Sequence, residues 1–295
     1  MSDDAIIQRY DRPWAFYSLA TLGPWTAWGG AAWLSHQEGI GRAGLTAVAA
    51  LLLLGLLLPF LTAWRLTRTD PVLRDDLHRR LVRPDRRQLR LATLGAGIML
   101  GSILLAQALS LLLGYSTDQF RLAANASFSA GILPGWFPLL LAPIIEELSW
   151  HSYGTDCLRR SMSLFWTSIV FALYWTVWHA PLGMVAHYYQ AQVAETGWIH
   201  ALNFAVSLIP FVLIMNWLYY RSNRSIPVVI VFHLSAGLFN EMFQTHPDTK
   251  VIQTGLLVAL TTALIIADPD FFFGKPRPGG MPRVPQAGLR PDQSL

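Results

Sequence analysis

The chain has 295 residues, of which 53% are hydrophobic and 14% charged, with 12 Trp and a mean hydropathy of +0.37; that balance excludes an ordinary soluble domain and points to a membrane protein. A formal charge of +4 and a pI near 9.4 would suit nucleic acid in a soluble chain, but the basic residues here fall between apolar runs, where anionic membrane lipids are the natural partner and nucleic acid is not. The single cysteine, Cys157, excludes a disulfide framework within one chain and a cysteine-rich metal site.

Eight windows approach or exceed the roughly 18 to 20 apolar residues that a spanning helix needs: about 14–34, 43–64, 91–114, 131–151, 164–186, 200–220, 226–244 and 251–268. The first is Trp-rich and lacks the basic leader and short apolar core of a cleaved signal, so it reads as a true span. The second, AVAALLLLGLLLPFLTAW, reads as plain lipid-facing helix. The connection from 65 to 90 carries nine Arg, whereas the one from 187 to 200 carries none. By the positive-inside rule the Arg-rich connection is cytoplasmic, and eight spans then place both termini inside. LRRS, RSNRS and the basic Pro/Gly-rich tail fit the same side. The expected fold class is an all-α polytopic membrane bundle of about eight transmembrane helices with a polar cavity. It occupies 1–270 as one domain, with 271–295 a disordered basic tail. Arg-heavy, Lys-poor loops point to a high-GC bacterium and hence to its plasma membrane.

The informative residues are the ionisable ones at membrane depth, because a charge there is costly and normally faces a cavity. Span four ends in EELSWH, with Glu146, Glu147 and His151; span five carries His179; span seven carries His233, then Asn240 and Glu241. Carboxylates and imidazoles together can activate water, stabilise an oxyanion or bind a divalent metal. Glu147 and His151, four apart, share a helix face, while Glu146 points about 100° away. Glu146 therefore reads as the chemical group and Glu147 as its support. Each residue also has a plainer reading. His179, two before Pro181, can satisfy a helix-end carbonyl; His233 can be an interhelical hydrogen bond; Asn240 and Glu241 read as solvated near the outer interface.

Glu-Glu-x-x-x-Arg, then aromatic-x-x-x-His, then His-x-x-x-Asn on successive membrane helices is the signature of the CPBP family of intramembrane endopeptidases, which includes type II CAAX prenyl proteases and bacterial Abi proteins. EELSWH, WTVWH (175–179) and HLSAG (233–237) resemble that pattern, in its bacterial branch, over about 131–244. The resemblance implies an eight-helix bundle with a cavity open toward the cytoplasm. It also implies an endopeptidase acting on a hydrophobic or lipidated peptide or protein, with Glu146 as base, Glu147 in support, His179 as the partner of Glu146 and His233 as oxyanion donor. Trp175 is the motif aromatic. A metal such as zinc is an open option, with Glu146, His179 and His233 as candidate ligands. Two positions depart from the pattern: His151 stands for Arg, and Gly237 for Asn, with Asn240 on the same face about 10 Å further along the axis. The span limits also set His179 farther from the cytoplasmic face than Glu146 and His233. The alternatives are a catalytically impaired member that acts as a scaffold or binding protein, and a proton-coupled transporter. Serine, HExxH-zinc and Gly-Asp intramembrane proteases are disfavoured by their missing motifs.

Overall fold

The structure, a computed structural model, describes residues 3–82, 85–123, 136–186, 188 and 197–275. Over these residues it is helical, apart from short turns and one antiparallel bridge between Leu122 and Phe243. The helices are α1 Asp3–Ile7, α2 Pro13–Ser35, α3 Gly41–Arg68, α4 Pro71–Val82, α5 Arg86–Leu111, α6 Trp136–Ser149, α7 Thr155–Arg159, α8 Leu164–Trp178, α9 Trp198–Arg221, α10 Ile226–Met242, α11 Pro247–Ala267 and α12 Pro269–Phe273. By length and composition α3, α5, α9 and α11 can each cross a membrane, and α10 is a shorter apolar helix. Several long apolar helices are what a multi-pass membrane protein requires.

Local chemistry sets the helix ends. Asp85 and Gln88 form a reciprocal capping box that starts α5, and Ser163 caps α8. Helix α2 packs along α3, α6 lies between α3 and α10, α5 packs on α10 and α11, and α9 packs on α8 and α11. Close approach of α2 to α3 depends on Gly55, where a Cβ would lie 2.1 Å from Trp28 Nε1. That indole donates to the Leu52 carbonyl at 3.1 Å. Aromatic and aliphatic side chains, among them Trp150, Phe171, Trp175, Phe211, Met215, Tyr219 and Phe232, form the core.

The structure differs from the sequence reading in three places. The Arg-rich connection is not a plain loop but contains α4. Span five ends at Trp178 rather than 186, because Pro181 offers no amide and disfavours helical geometry just before it; Ala180–Met184 forms a tighter 3₁₀ turn. The ordered bundle runs past 270 as well, since Phe272 is fully buried beside Leu164 and Leu213; residues 276–295 of the expected tail lie outside those described.

At the end of the bundle where α4 lies, four buried charges alternate in sign. Asp76 and Arg80 come from α4, Asp156 from α7 and Arg224 from the turn between α9 and α10. Arg224 reaches Asp156 at 2.6 Å and Asp76 at 2.9 Å, and Arg80 reaches Asp156 at 3.0 Å. Tyr10 donates to Asp76 at 2.8 Å and Tyr220 to Asp156 at 2.9 Å. Such ions are tolerable in a dry interior only when mutually paired. Arg224 joins them from a left-handed backbone (φ 63°), a strained state that the cluster must hold in place. Arg80 therefore does not face lipid headgroups, contrary to the sequence reading of its segment, because Asp156 and a buried tyrosine lie within its reach.

Candidate functional site

Helix α6 does not end at Ser149. It passes into a π-helical turn, Trp150–Gly154, and then into α7. The wider turn leaves main-chain carbonyls without ordinary helical partners, and Arg80 donates to the carbonyls of His151 at 2.8 Å and Ser152 at 3.1 Å. Tyr219 adds a second donor to His151 O at 2.9 Å. The charge cluster thus fixes the turn that carries His151.

His151 and Glu147 lie on one face, fully buried. One Glu147 oxygen bonds His151 Nδ1, and the other bonds His233 Nδ1 at 2.7 Å. His151 Nε2 faces Asn216 Oδ1 at 3.0 Å, and Asn216 in turn donates to Ser168 Oγ at 2.9 Å. Both nitrogens of His151 therefore face oxygen atoms. His151 thus stands beside Glu147 at the position that arginine takes in the family pattern.

Glu146 points elsewhere. It lines a cavity of about 440 Å³, together with Trp175, His179, Tyr188, His233, Gly237 and Asn240; Glu147 and His151 are not among the cavity-lining residues. Trp175 Nε1 donates to Glu146 Oε2 at 3.1 Å. His179 caps the end of α8, and its Nδ1 donates to the Trp175 carbonyl at 2.7 Å. The plainer reading of His179 is thus met at Nδ1, which in the neutral ring puts the lone pair on Nε2. The Trp175 ring contacts both imidazoles, with centroids 5.4 Å from His179 and 5.3 Å from His233. Six expected residues, Glu146, Glu147, His151, Trp175, His179 and His233, are thus brought into one assembly. No direct hydrogen bond joins Glu146 to His179 among the described residues.

Asn240 lies further along the cavity, donating to Ala236 O at 2.9 Å. Glu241 corrects the solvated reading: it is 8% exposed and sits 3.6 Å from Lys250 in the cavity wall, because α11 brings a cation beside it. At Gly237 a Cβ would lie 3.0 Å from Leu139 Cδ1, so Leu139 closes off part of the space an asparagine would need. Among the described residues no three His, Cys, Asp or Glu side chains converge as a metal site. The candidate set Glu146, His179 and His233 does not fit a metal ion in this geometry, and no step below uses one.

The sequence reading missed Asn216, Ser168 and Arg80. A polar Asn inside VLIMNWLYY was a usable signal for Asn216; nothing local distinguishes Arg80 from its Arg neighbours.

The family model described as type II CAAX prenyl endopeptidase, Rce1-like, matches residues 128–239. Over 178 residues the chain is 38% identical to a protein of Methanococcus maripaludis named CAAX prenyl protease 2, a match covering 60% of this chain. It spans 66% of that relative's length. The chain belongs to the Rce1-like CAAX endopeptidase family. Within that family's pattern, the residues of all three motifs meet around the cavity or directly behind it. The two departures have different consequences. His151 keeps the partnership with Glu147, whereas Gly237 leaves a place without a side-chain donor.

The cavity's lining includes Trp28 of α2, 49–56 of α3, Met99 of α5, 137–146 of α6, 175–179 of α8, 200–211 of α9, 233–241 of α10 and 247–257 of α11.

Proposed function

We propose that the protein is an intramembrane endopeptidase that hydrolyses a peptide bond of a hydrophobic or membrane-associated substrate. Glu146 Oε1 takes a proton from water while His179 Nε2 accepts the second water hydrogen bond, orienting the oxygen toward the scissile carbonyl. As the C–O bond forms, the carbonyl π electrons move to oxygen, and His233, doubly protonated with its Nδ1–H held by Glu147, donates Nε2–H to that oxyanion. When the tetrahedral intermediate collapses, the C–N bond breaks and the leaving amine takes the proton from Glu146. Glu147 is a positioning residue: it holds His233 by Nδ1 so that Nε2 faces the cavity, and His151 with Asn216 holds Glu147.

The observation that carries this reading is Glu146 lining an apolar-walled cavity beside two imidazoles whose Nδ1 atoms are already occupied. Gly237 supplies no second oxyanion donor, and a missing donor typically lowers turnover by a factor of about 10² to 10³. A slow enzyme is therefore expected. We further take the bundle as eight spans with its ordered part reaching Phe273, its catalytic core as about 131–244 and its home as a bacterial plasma membrane, with both termini on the Arg-rich side. Lipidated peptides are candidate substrates on the strength of the relative's name alone.

Hydrolysis is tested by incubating detergent-purified protein with a quenched hydrophobic peptide library in ¹⁸O water. The expected result is label in the new C-terminal carboxylate, unchanged by chelator or added zinc. Well-folded wild-type protein that cleaves no member would remove the proposal in favour of a scaffold.

A further inference from the structure

Among the described residues four tryptophans are buried, and burial takes water away from each indole N–H. Three of them find acceptors. Trp28 donates to the Leu52 carbonyl at 3.1 Å, Trp178 to the Ala20 carbonyl at 2.9 Å and Trp175 to Glu146 Oε2 at 3.1 Å. Trp150, the most deeply buried of the four, has no acceptor at bonding distance. A native interior seldom leaves such a donor unmet without a reason.

The reason lies one helical turn back. Trp150 follows Glu146 by four residues, and a helical side chain leans toward the N-terminus, over the residue four before it. Helix α6 is regular as far as Ser149, so that relation holds here. The carboxylate within reach of the Trp150 N–H is that of Glu146. EELSWH thus carries two such pairs side by side, Glu146 with Trp150 and Glu147 with His151. Ring packing fixes the indole, since Phe16, Phe171, Tyr174 and Trp178 all contact it. Trp175 lines the cavity and Trp150 does not. The two donors therefore reach Glu146 from different helices, one in the cavity wall and one behind it.

We infer that Trp150 is a positioning residue for Glu146: its indole N–H, with that of Trp175, holds the carboxylate in one orientation toward the cavity. The contact stands on burial and spacing; its effect on turnover rests on the hydrolytic reading above.

The test uses the full chain purified in detergent. The Trp150 signal in a ¹⁵N-indole spectrum is assigned by its loss in Trp150→Phe. Should that variant fold poorly, Trp150 is replaced instead by benzothienylalanine, which keeps both fused rings and puts sulfur in place of N–H. The expected result is that Glu146→Ala moves the signal upfield, as a proton that loses a charged acceptor does. A signal that does not respond shows the N–H lodged against a neighbouring ring and overturns the inference. In kinetics, the benzothienylalanine protein is expected to lose about tenfold in kcat, with KM and the unfolding midpoint unchanged. Wild-type kcat in that protein, with losses confined to Trp150→Phe and matched by a lowered midpoint, would make Trp150 a packing residue and overturn the inference as well. The two readings fail separately. A responsive signal in wild-type protein that cleaves no peptide removes the hydrolytic reading and keeps the hold on Glu146; cleavage with an unresponsive signal removes the hold alone.

Discussion

Two groups of buried charges occupy opposite halves of this bundle, and they differ in what they leave unspent. Asp76, Arg80, Asp156 and Arg224 are each met by opposite charges, and the first three by tyrosine hydroxyls as well, at 5% exposure or less. Glu146, His179 and His233 instead have one edge fixed by a neighbour and another directed to a cavity. Charges whose bonding capacity is consumed hold structure together, and charges held rigidly with capacity to spare are available for chemistry. Glu147 and His151 stand between the two kinds: they are fully partnered, but what they hold is His233.

Substitutions sharpen that contrast. Arg80→Ala removes one of the two buried arginines that balance Asp76 and Asp156, and takes a donor from two carbonyls of the π-helical turn. A loss of about 3–5 kcal/mol is expected, read as a collapse of the thermal unfolding midpoint in detergent. A midpoint within a degree or two of wild type would mean that the cluster is not what holds that end. His151→Ala should cost less, about 1–3 kcal/mol, because Glu147 keeps His233, but turnover should fall at least tenfold as His233 loosens. His151→Arg, which restores the family residue and the charge, should recover most of that turnover. Trp175→Phe removes one hydrogen bond to Glu146 and is expected to lower kcat about tenfold with little change in the unfolding midpoint. A change in KM alone would assign the indole to the binding wall instead.

The helices and the three motifs were legible because both are written locally, in apolar run length and in fixed spacing along a helix. The i,i+4 relation of Glu147 to His151 and the divergence of Glu146 from Glu147 follow from helical geometry, and the structure places these side chains accordingly. What stayed hidden depends on partners distant in sequence. Arg80 looks like any cytoplasmic arginine until Asp156, 76 residues on, is brought beside it. Asn216 becomes part of the site only because α9 passes the π-helical turn. The cavity needed the fold as well, since its walls come from helices far apart in sequence.

Gly237→Asn made with Leu139→Ala tests whether the missing donor can be restored once the space is cleared. A rise in turnover of several-fold is expected, and Gly237→Asn alone should give less because Leu139 Cδ1 lies 3.0 Å from the new Cβ. The smallest effect concerns Asp70, outside the spans. Burial pushes its carboxyl up, but bonds from Arg9 and the Val72 and Leu73 amides outweigh this and hold it below its ordinary value. Its contribution is present at neutral pH and is lost as pH falls through that lowered value. Asp70→Asn should therefore cost roughly 0.5–1 kcal/mol at pH 7 and less in strong acid, measured by unfolding midpoints at the two pH values.

The central claim is that Glu146 is present for chemistry and not for stability. The most direct measurement compares peptide cleavage and thermal unfolding of wild type and Glu146→Gln, purified side by side. The account expects cleavage to fall by a factor of about 10² or more, the range a general base contributes, with the unfolding midpoint unchanged or raised, since an amide is cheaper than a carboxylate to bury. Cleavage at the wild-type rate, or a mutant that loses activity only by unfolding, would contradict it.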